Sequence, residues 1–236
     1  AFIILWVVLS TAVLGIFAII ISFFSRTGNP VHVIARIWAK MILMVSGIKV
    51  NIKGLSNIDP TKSYIYMCNH QSNFDIFVLL ASLPVQFRWL AKAELFKIPI
   101  FGRSMKGCGY ISIDRSNRKS AFRSLAVAAK TIRQGTSVLI FPEGTRSNDG
   151  TIKDFKKGGF VLAVDAGVPI YPITIRGTYE IMPRNRVWVH SQPVELQIHD
   201  PISAADYTRK TKVDLMQRVR EVMIAEQQKT KTGGIS

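Results

Sequence analysis

The sequence is poor in cysteine and histidine. Its 236 residues include two cysteines, Cys68 and Cys108, and four histidines. Two thiols without a repeated spacing give no disulfide framework, and the absence of a CxxC pair removes the usual pattern of a zinc site. We therefore expect reduced thiols, no metal, and a fold stabilised by one hydrophobic core.

Acidic residues are also scarce. The chain has 15 Asp and Glu against 31 Lys and Arg, which gives a formal net charge of +16. A surface this basic attracts polyanions, which include nucleic acid, an anionic bilayer and phosphorylated substrates. The sequence contains no known nucleic-acid-binding motif and no aromatic stacking platform, so we expect no nucleic acid among its partners.

Charge of either sign is absent from residues 1–25. A helix over Phe2–Phe24 would be ~34 Å long, which is enough to cross a hydrocarbon core of ~30 Å. A signal peptide would need a basic start, a shorter apolar core and a cleavage site, and none of these is present. We predict that residues 1–25 form a membrane helix. Arg26, Arg36 and Lys40 follow it, so we expect the rest of the chain on the cytoplasmic side of the cell inner membrane.

Residues 26–47 form the next predicted segment, and its part from Val31 to Gly47 is mostly apolar. His32, Arg36 and Lys40 recur every four residues, so on a helix they form one narrow stripe. The pattern predicts an amphipathic helix at the membrane interface with its cations toward lipid phosphates. The alternative is a helix packed on the globular core with the stripe in water, and the sequence leaves both open.

From residue 48 onward, strand and helix patterns alternate. Residues 48–228 are therefore interpreted as a single α/β domain with a mostly parallel or mixed sheet flanked by helices, and residues 229–236 as a flexible tail. The predicted strands are Lys49–Ile52, Tyr64–Met67, Tyr110–Ile113, Val138–Phe141, Ile170–Ile175, Val187–His190 and Val194–Ile198. The predicted helices include Lys119–Arg133, Phe160–Ala166 and Asp206–Gln228.

The first group of residues suited to catalysis directly follows a predicted strand. His70 would lie at the carboxyl end of this strand, where open α/β sheets place their ligand sites. Asp75 opens the next apolar run as a helix N-cap or first-turn residue would. A tight loop can then turn the carboxylate onto the imidazole, fix its tautomer and leave the other ring nitrogen free to accept a proton. A capping Asp beside a structural His is the alternative interpretation.

A second group, Phe141–Ser147, also follows a predicted strand. Gly144 allows close approach of a backbone to a ligand, and Thr145 offers a hydroxyl. Arg146 has the planar fork that matches phosphate oxygens in pairs. Glu143 could hold an arginine or accept a hydrogen bond from a substrate hydroxyl. A simple turn is the structural alternative for this segment.

Two shorter patterns accompany these groups. Asp114 and Arg115 end a predicted strand, and their simplest interpretation is a surface ion pair. The segment Val168–Pro172 places two prolines around a short apolar run, which indicates an edge strand or a pocket wall.

Together and in this order, the four blocks resemble the glycerolipid acyltransferases, and within them the bacterial-type 1-acylglycerol-3-phosphate acyltransferases. The HxxxxD motif of the family matches His70 and Asp75. Its second block, ending in Asp-Arg, matches Ile113–Arg115. Its third block is present residue for residue at Phe141–Ser147, and its fourth matches Val168–Pro172.

The resemblance implies a role for each block. His70 would deprotonate the acceptor hydroxyl, Asp75 would orient His70, and Val168–Pro172 would shape the acyl or acceptor pocket. The acyl donor would be acyl-CoA or acyl carrier protein, with no cofactor. Acceptor binding would fall to Arg115, Glu143, Gly144, Thr145 and Arg146. The family's enzymes for glycerol 3-phosphate tend to carry Arg-Arg and Gly-Gly where this chain has Asp114-Arg115 and Gly144-Thr145, which favours lysophosphatidic acid as the acceptor.

Several alternatives stay open at this point. A covalent acyl-enzyme could form on Ser72, Cys68 or Cys108, although Ser72 lies in no G-x-S-x-G turn. The acceptor could be another lysolipid or glycerol 3-phosphate, and with water as acceptor the protein would be a hydrolase. A membrane-anchored module that binds anionic lipid without catalysis is the alternative from a different class. Acyl-chain preference, the choice of donor, the oxyanion donors and the oligomeric state cannot be inferred from the sequence.

Overall fold

The computed structural model describes residues 2–114 and 116–232. Its strands are β1 (Val50–Lys53), β2 (Ile65–Cys68), β3 (Phe87–Lys92), β4 (Ile111–Ile113), β5 (Ser137–Ile140), β6 (Ile170–Arg176) and β7 (Val194–Ile198). Its α-helices are α1 (Phe2–Phe24), α2 (Asn29–Val45), α3 (Phe74–Ser82), α4 (Phe101–Gly107), α5 (Arg118–Arg133), α6 (Gly158–Ala166), α7 (Thr178–Ile181) and α8 (Lys212–Thr232).

The strands form one mixed sheet in the order β1-β7-β6-β2-β5-β3-β4. All neighbouring strands are parallel except β6 and β7, which are antiparallel. Every residue of β2 and β5 is buried, as expected for central parallel strands covered on both faces. Because these two strands are parallel neighbours, their carboxyl ends meet at the same edge of the sheet. The predicted α/β fold with a mixed sheet is confirmed.

Alternation along the strands supplies a core on each face of the sheet. In β2, Tyr66 and Cys68 join the core beneath α2 and α3. Ile65 and Met67 point to the opposite face and join the core beneath α5, α6 and α8. The four residues are fully buried, so the position of the β2 carboxyl end is fixed by packing on both sides.

Helix α1 packs along α2 and α4 through small residues. The Ser104 hydroxyl donates to the Gly15 carbonyl at 3.0 Å. A Cβ on Gly15 would lie 2.5 Å from Ile100 Cγ2, so only glycine permits this approach. The outer face of α1 exposes large apolar side chains such as Leu5 and Phe17. With 23 residues, this one helix of the described chain is long and apolar enough to cross a membrane.

Helix α2 divides its surface between the core and the exterior. It buries Ala39 and Ile42 in the protein and exposes Ile37 and Met44. The polar stripe predicted for this helix is wrong at its first position. His32 is fully buried, because its Nδ1 lies 3.0 Å from the Tyr110 hydroxyl and its ring packs edge-on against Phe87. One face of α2 packs on the core, as the alternative interpretation expected, and contact of the other face with a membrane interface stays a prediction.

Other element predictions need correction. Residues Val187–His190 are irregular instead of forming a strand, and Phe87–Lys92 forms the unpredicted strand β3. Strand β6 lies between β7 and β2, so the segment at Val168–Pro172 enters an interior strand and not an edge strand. Helix α8 begins at Lys212 instead of Asp206 and continues to Thr232. The predicted flexible tail is therefore helical at residues 229–232, and residues 233–236 lie outside the described residues.

Candidate active site

Two loops meet at the carboxyl edge of the sheet. One follows β2 and carries His70, and the other follows β5 and includes Phe141–Ser147. The Ser147 N–H donates to the His70 carbonyl at 2.7 Å, and the His70 N–H donates to Glu143 Oε1 at 2.7 Å. Adjacent parallel strands bring the first and third sequence blocks together, and these two bonds fix one loop against the other.

His70 and Asp75 form a hydrogen-bonded pair. The distance from His70 Nδ1 to Asp75 Oδ2 is 2.8 Å. The same oxygen accepts the backbone N–H groups of Gln71 at 2.7 Å and Ser72 at 2.9 Å. Asp75 lies in the first turn of α3 and is fully buried, whereas the His70 side chain is 15% exposed. A carboxylate only accepts hydrogen bonds, so Nδ1 carries the hydrogen and Nε2 carries the free lone pair.

Aromatic packing fixes the plane of the His70 ring. The Phe141 ring stacks on the imidazole with a centroid distance of 3.8 Å and an interplanar angle of 8°. Trp89 stacks in turn on Phe141 at 5.3 Å. The ring is thus held on one face by Phe141 and at one edge by Asp75. Such pre-organisation favours proton transfer by the remaining nitrogen.

His70 lines a cavity of about 700 Å³ whose walls are of two kinds. Apolar side chains of α1, α2, α3 and α4 form one kind. The cationic side chains of Lys92, Arg146 and Arg184 form the other. Apolar lining residues include Leu14, Ala18, Ile34, Trp38, Ile76, Leu80 and Phe101. An amphiphile with a negatively charged head fits this combination of walls.

Gly144, Thr145 and Arg146 line the cavity, and their binding of the acceptor stays a prediction. Gly144 has a φ of 78°, a left-handed conformation that glycine adopts without steric cost. Arg146 is half-buried, and burial together with the nearby charge of Arg184 lowers the pKa of its guanidinium. The desolvated cation is suited to an anionic group of a ligand.

Glu143 is placed differently from the prediction, because it does not line the cavity. Its carboxyl group is buried and accepts two backbone N–H groups, those of His70 at 2.7 Å and Lys153 at 3.0 Å. Burial raises the pKa of this carboxyl to about 7, although both hydrogen bonds lower it. The geometry therefore makes Glu143 a clamp between the two loops, and its predicted contact with the acceptor stays a prediction.

The second block is described only in part. Arg115, which we predicted to bind the acceptor phosphate, lies outside the described residues. Asp114 Oδ1 accepts the Ser116 N–H at 2.9 Å and the Ser116 hydroxyl at 2.6 Å. These bonds lower the pKa of the Asp114 carboxyl, with the hydroxyl bond as the largest cause.

Sequence reasoning missed two cationic residues of the cavity. Lys92 ends β3, a strand that the pattern did not predict. Arg184 follows α7 in a segment without regular structure, and its Nη1 donates to Asn148 Oδ1 at 3.1 Å. The signal in the sequence was two arginines, Arg184 and Arg186, after Pro183, which is unspecific on its own.

The three nucleophiles considered for a covalent mechanism are all buried. The Ser72 hydroxyl donates to the Met182 carbonyl at 2.7 Å. Burial raises the pKa of the Cys68 thiol well above its ordinary value and that of Cys108 to about 12. Both thiols are thus poor sources of thiolate, so the geometry does not favour a covalent acyl-enzyme on any of the three. In the described part of the chain, no group of three or more His, Cys, Asp or Glu is arranged to bind a metal.

This fold and this pair of loops are those of an acyltransferase. Residues 49–176 match the acyltransferase family, and the chain belongs to that family. It is 36% identical over 204 residues to a chloroplast 1-acyl-sn-glycerol-3-phosphate acyltransferase of Brassica napus. The match covers 80% of this chain and 59% of the plant protein, so the chain spans little more than half of that relative.

Two further comparisons cover a larger share of the related protein. The human 1-acyl-sn-glycerol-3-phosphate acyltransferase alpha is 30% identical over 202 residues, which are 85% of this chain and 71% of the human protein. The crystal structure of the 1-acyl-sn-glycerophosphate (LPA) acyltransferase PlsC from Thermotoga maritima superposes with a TM-score of 0.81 at 28% identity. That match covers 98% of this chain and 95% of the Thermotoga chain, and it includes the helices that precede the sheet.

Proposed function

We propose that this protein transfers a fatty acyl group from an acyl thioester to the sn-2 hydroxyl of 1-acylglycerol 3-phosphate, which forms phosphatidic acid. One observation carries the proposal: a single cavity is lined by His70, by apolar side chains and by the cationic side chain of Arg146. In lysophosphatidic acid, the reacting hydroxyl lies between an acyl chain and a phosphate. A cavity with these three kinds of lining suits such a molecule, and the names of the relatives support the same acceptor.

The proposed reaction is direct attack on the donor. His70 Nε2 takes the proton of the acceptor hydroxyl while the hydroxyl oxygen bonds to the thioester carbonyl carbon. The tetrahedral intermediate then breaks its carbon–sulfur bond, and the leaving thiolate takes the proton from the imidazolium. Asp75 stabilises the imidazolium that exists between these steps. The products are phosphatidic acid and the free thiol of the donor.

The donor and the membrane are further parts of the proposal. Acyl-CoA and acyl carrier protein are both acidic, and the excess of basic residues suits either. The exposed apolar face of α1 would contact the hydrocarbon of the cell inner membrane, with the α/β domain on the cytoplasmic side. This attachment would give the cavity access to a lipid acceptor.

An acyl-transfer assay tests the proposed function. The purified full chain in mixed micelles is given lysophosphatidic acid and, in parallel, acyl-CoA or acylated carrier protein. We expect phosphatidic acid to accumulate as the free thiol of the donor appears. A panel with monoacylglycerol, lysophosphatidylcholine and glycerol 3-phosphate shows whether the acceptor assignment holds. Donor cleavage without an acylated product would instead indicate a hydrolase and contradict the proposal.

A further inference from the structure

The segment that carries Arg184 is tied to both catalytic loops. The Ser72 hydroxyl, two residues after His70, donates to the Met182 carbonyl at 2.7 Å. The Tyr179 hydroxyl donates to the Asn148 carbonyl at 2.8 Å, just beyond the loop that carries Arg146. Arg184 itself donates to the Asn148 side chain at 3.1 Å. These bonds hold the irregular segment around Arg184 in a defined position beside the cavity.

Two positive charges repel each other in this part of the cavity. Arg146 and Arg184 both line the cavity, and the charge of Arg184 lowers the pKa of Arg146, whereas the charge of Asp75 raises it. The partner of Arg184 at Asn148 is a neutral amide oxygen. An anion bound between two guanidinium groups would relieve this repulsion, and a dianion would do so more completely.

We propose that Arg184 is a second phosphate-binding residue, which holds the phosphate monoester of the acceptor together with Arg146. This assignment rests on the proposed function and names a group that recognises the acceptor head. Arg184 selects acceptors that carry a dianionic phosphate over neutral acceptors of the same chain length. It takes no part in proton transfer, so its contribution lies in acceptor binding and not in turnover.

Replacement of Arg184 separates this role from a general effect of charge. The test variant is Arg184→Ala, and its matched control is Arg186→Ala, which removes an exposed arginine two residues away that does not line the cavity. We expect Arg184→Ala to raise the KM for lysophosphatidic acid on the order of 10- to 100-fold, the range for loss of a hydrogen bond to a charged group. The donor KM and kcat should stay within about twofold, and Arg184→Lys should recover part of the loss.

A binding measurement decides the assignment independently of activity. Equilibrium binding of lysophosphatidic acid and of monoacylglycerol is measured in mixed micelles without donor. We expect Arg184→Ala to weaken only the phosphorylated lipid, and Arg186→Ala to weaken neither. Equal affinity of the Arg184→Ala and wild-type proteins for lysophosphatidic acid would overturn the assignment, as would a rise in donor KM alone. A wild-type protein that binds this lipid through Arg184 but transfers no acyl group would contradict only the proposed function.

Discussion

Replacement of Asp75 by asparagine tests the role that we propose for the His70–Asp75 pair. Asp75 Oδ2 accepts hydrogen bonds from His70 Nδ1 and from the backbone N–H groups of Gln71 and Ser72. In Asp75→Asn, a side-chain NH2 at the Oδ2 position would face these three N–H groups, and two hydrogen-bond donors repel each other. The amide oxygen will therefore take the Oδ2 position, and His70 will keep its orientation and its Nδ1–H tautomer.

The structure limits the size of the effect. The variant keeps the geometry and loses the negative charge that stabilises the imidazolium. A hydrogen bond to a charged group contributes about 1.5–3 kcal/mol and a neutral one about 0.5–1.5 kcal/mol. The difference of roughly 1–2 kcal/mol corresponds to a fall in kcat of about 5- to 30-fold. Loss of the base itself in His70→Ala should cost about 100- to 10,000-fold.

A cost in stability should accompany the change at Asp75. Asp75 Oδ1 is buried and has no hydrogen-bond partner within the described residues. In Asp75→Asn, the side-chain NH2 would take this position and would have no acceptor for its hydrogens. An unsatisfied buried group of this kind costs about 1–3 kcal/mol. His70→Ala also loses stability, because it removes a hydrogen bond to the buried Asp75 and the stacking on Phe141; the loss of activity, and not the loss of stability, should therefore distinguish the two variants.

The assay is the initial rate of phosphatidic acid formation with both substrates saturating, and thermal unfolding in the same detergent reports stability. Asp165→Asn is the matched control, because this carboxylate pairs with Arg209 on the protein surface at 2.7 Å; we expect unchanged activity. Wild-type turnover by Asp75→Asn would show that the charge is not needed. Turnover as low as that of His70→Ala would show that the imidazole had lost its orientation, and either result refutes the reasoning.

Three further results follow from the buried groups. Burial raises the pKa of Glu143 from 4.5 to about 7, so between these pH values the folded protein keeps a proton that the unfolded chain loses. As the pH rises from 4.5 to about 7, the unfolding free energy of the wild type should fall by up to about 3 kcal/mol relative to that of Glu143→Gln. Denaturant titrations at several pH values measure both free energies. A difference between the two proteins that does not change with pH would contradict this expectation. Ser72→Ala should keep kcat within about tenfold of the wild type, because the Ser72 hydroxyl donates its hydrogen to the Met182 carbonyl. Loss of all turnover would instead favour a covalent acyl-enzyme on Ser72. Cys68 and Cys108 should react with iodoacetamide at neutral pH only after unfolding, as followed by mass spectrometry; rapid labelling of the folded protein would disprove their burial.

The site residues that could be predicted were those of local motifs. A spacing of five residues between His70 and Asp75 is short enough for one loop and the first turn of a helix to bring them together. The loop after β2 meets the loop after β5 because these two strands are neighbours. Their pairing is a property of the sheet order, and the spacing of the motifs does not predict it. Glu143 shows the limit of such reasoning, because its residue type suited a substrate contact whereas its hydrogen bonds fasten the backbone.

Buried charge accounts for the missed strand. Strand β3 contains Arg88, which interrupts the apolar pattern that predicts an interior strand. Arg88 is almost fully buried and donates to the carbonyl groups of Phe87 and Thr27, while burial lowers the pKa of its guanidinium. The converse error is the segment around Trp188, whose side chain is 67% exposed. Its β-forming residues have no neighbouring strand with which to pair.

The cavity explains why the motifs cannot encode the whole specificity. The family match begins at residue 49, yet α1 and α2 contribute Leu14, Ala18, Ile34 and Trp38 to the apolar wall. His70, Asp75, Lys92 and Arg146 lie in the matched region, whereas Arg184 lies beyond its end at residue 176. If the apolar part of the cavity receives an acyl chain as we propose, the longest chain that it accepts depends in part on α1 and α2. Their sequence shows only an apolar pattern. A packed wall responds to changes of single methylene groups, so members that share all four blocks can differ in acyl preference through α1 and α2 alone.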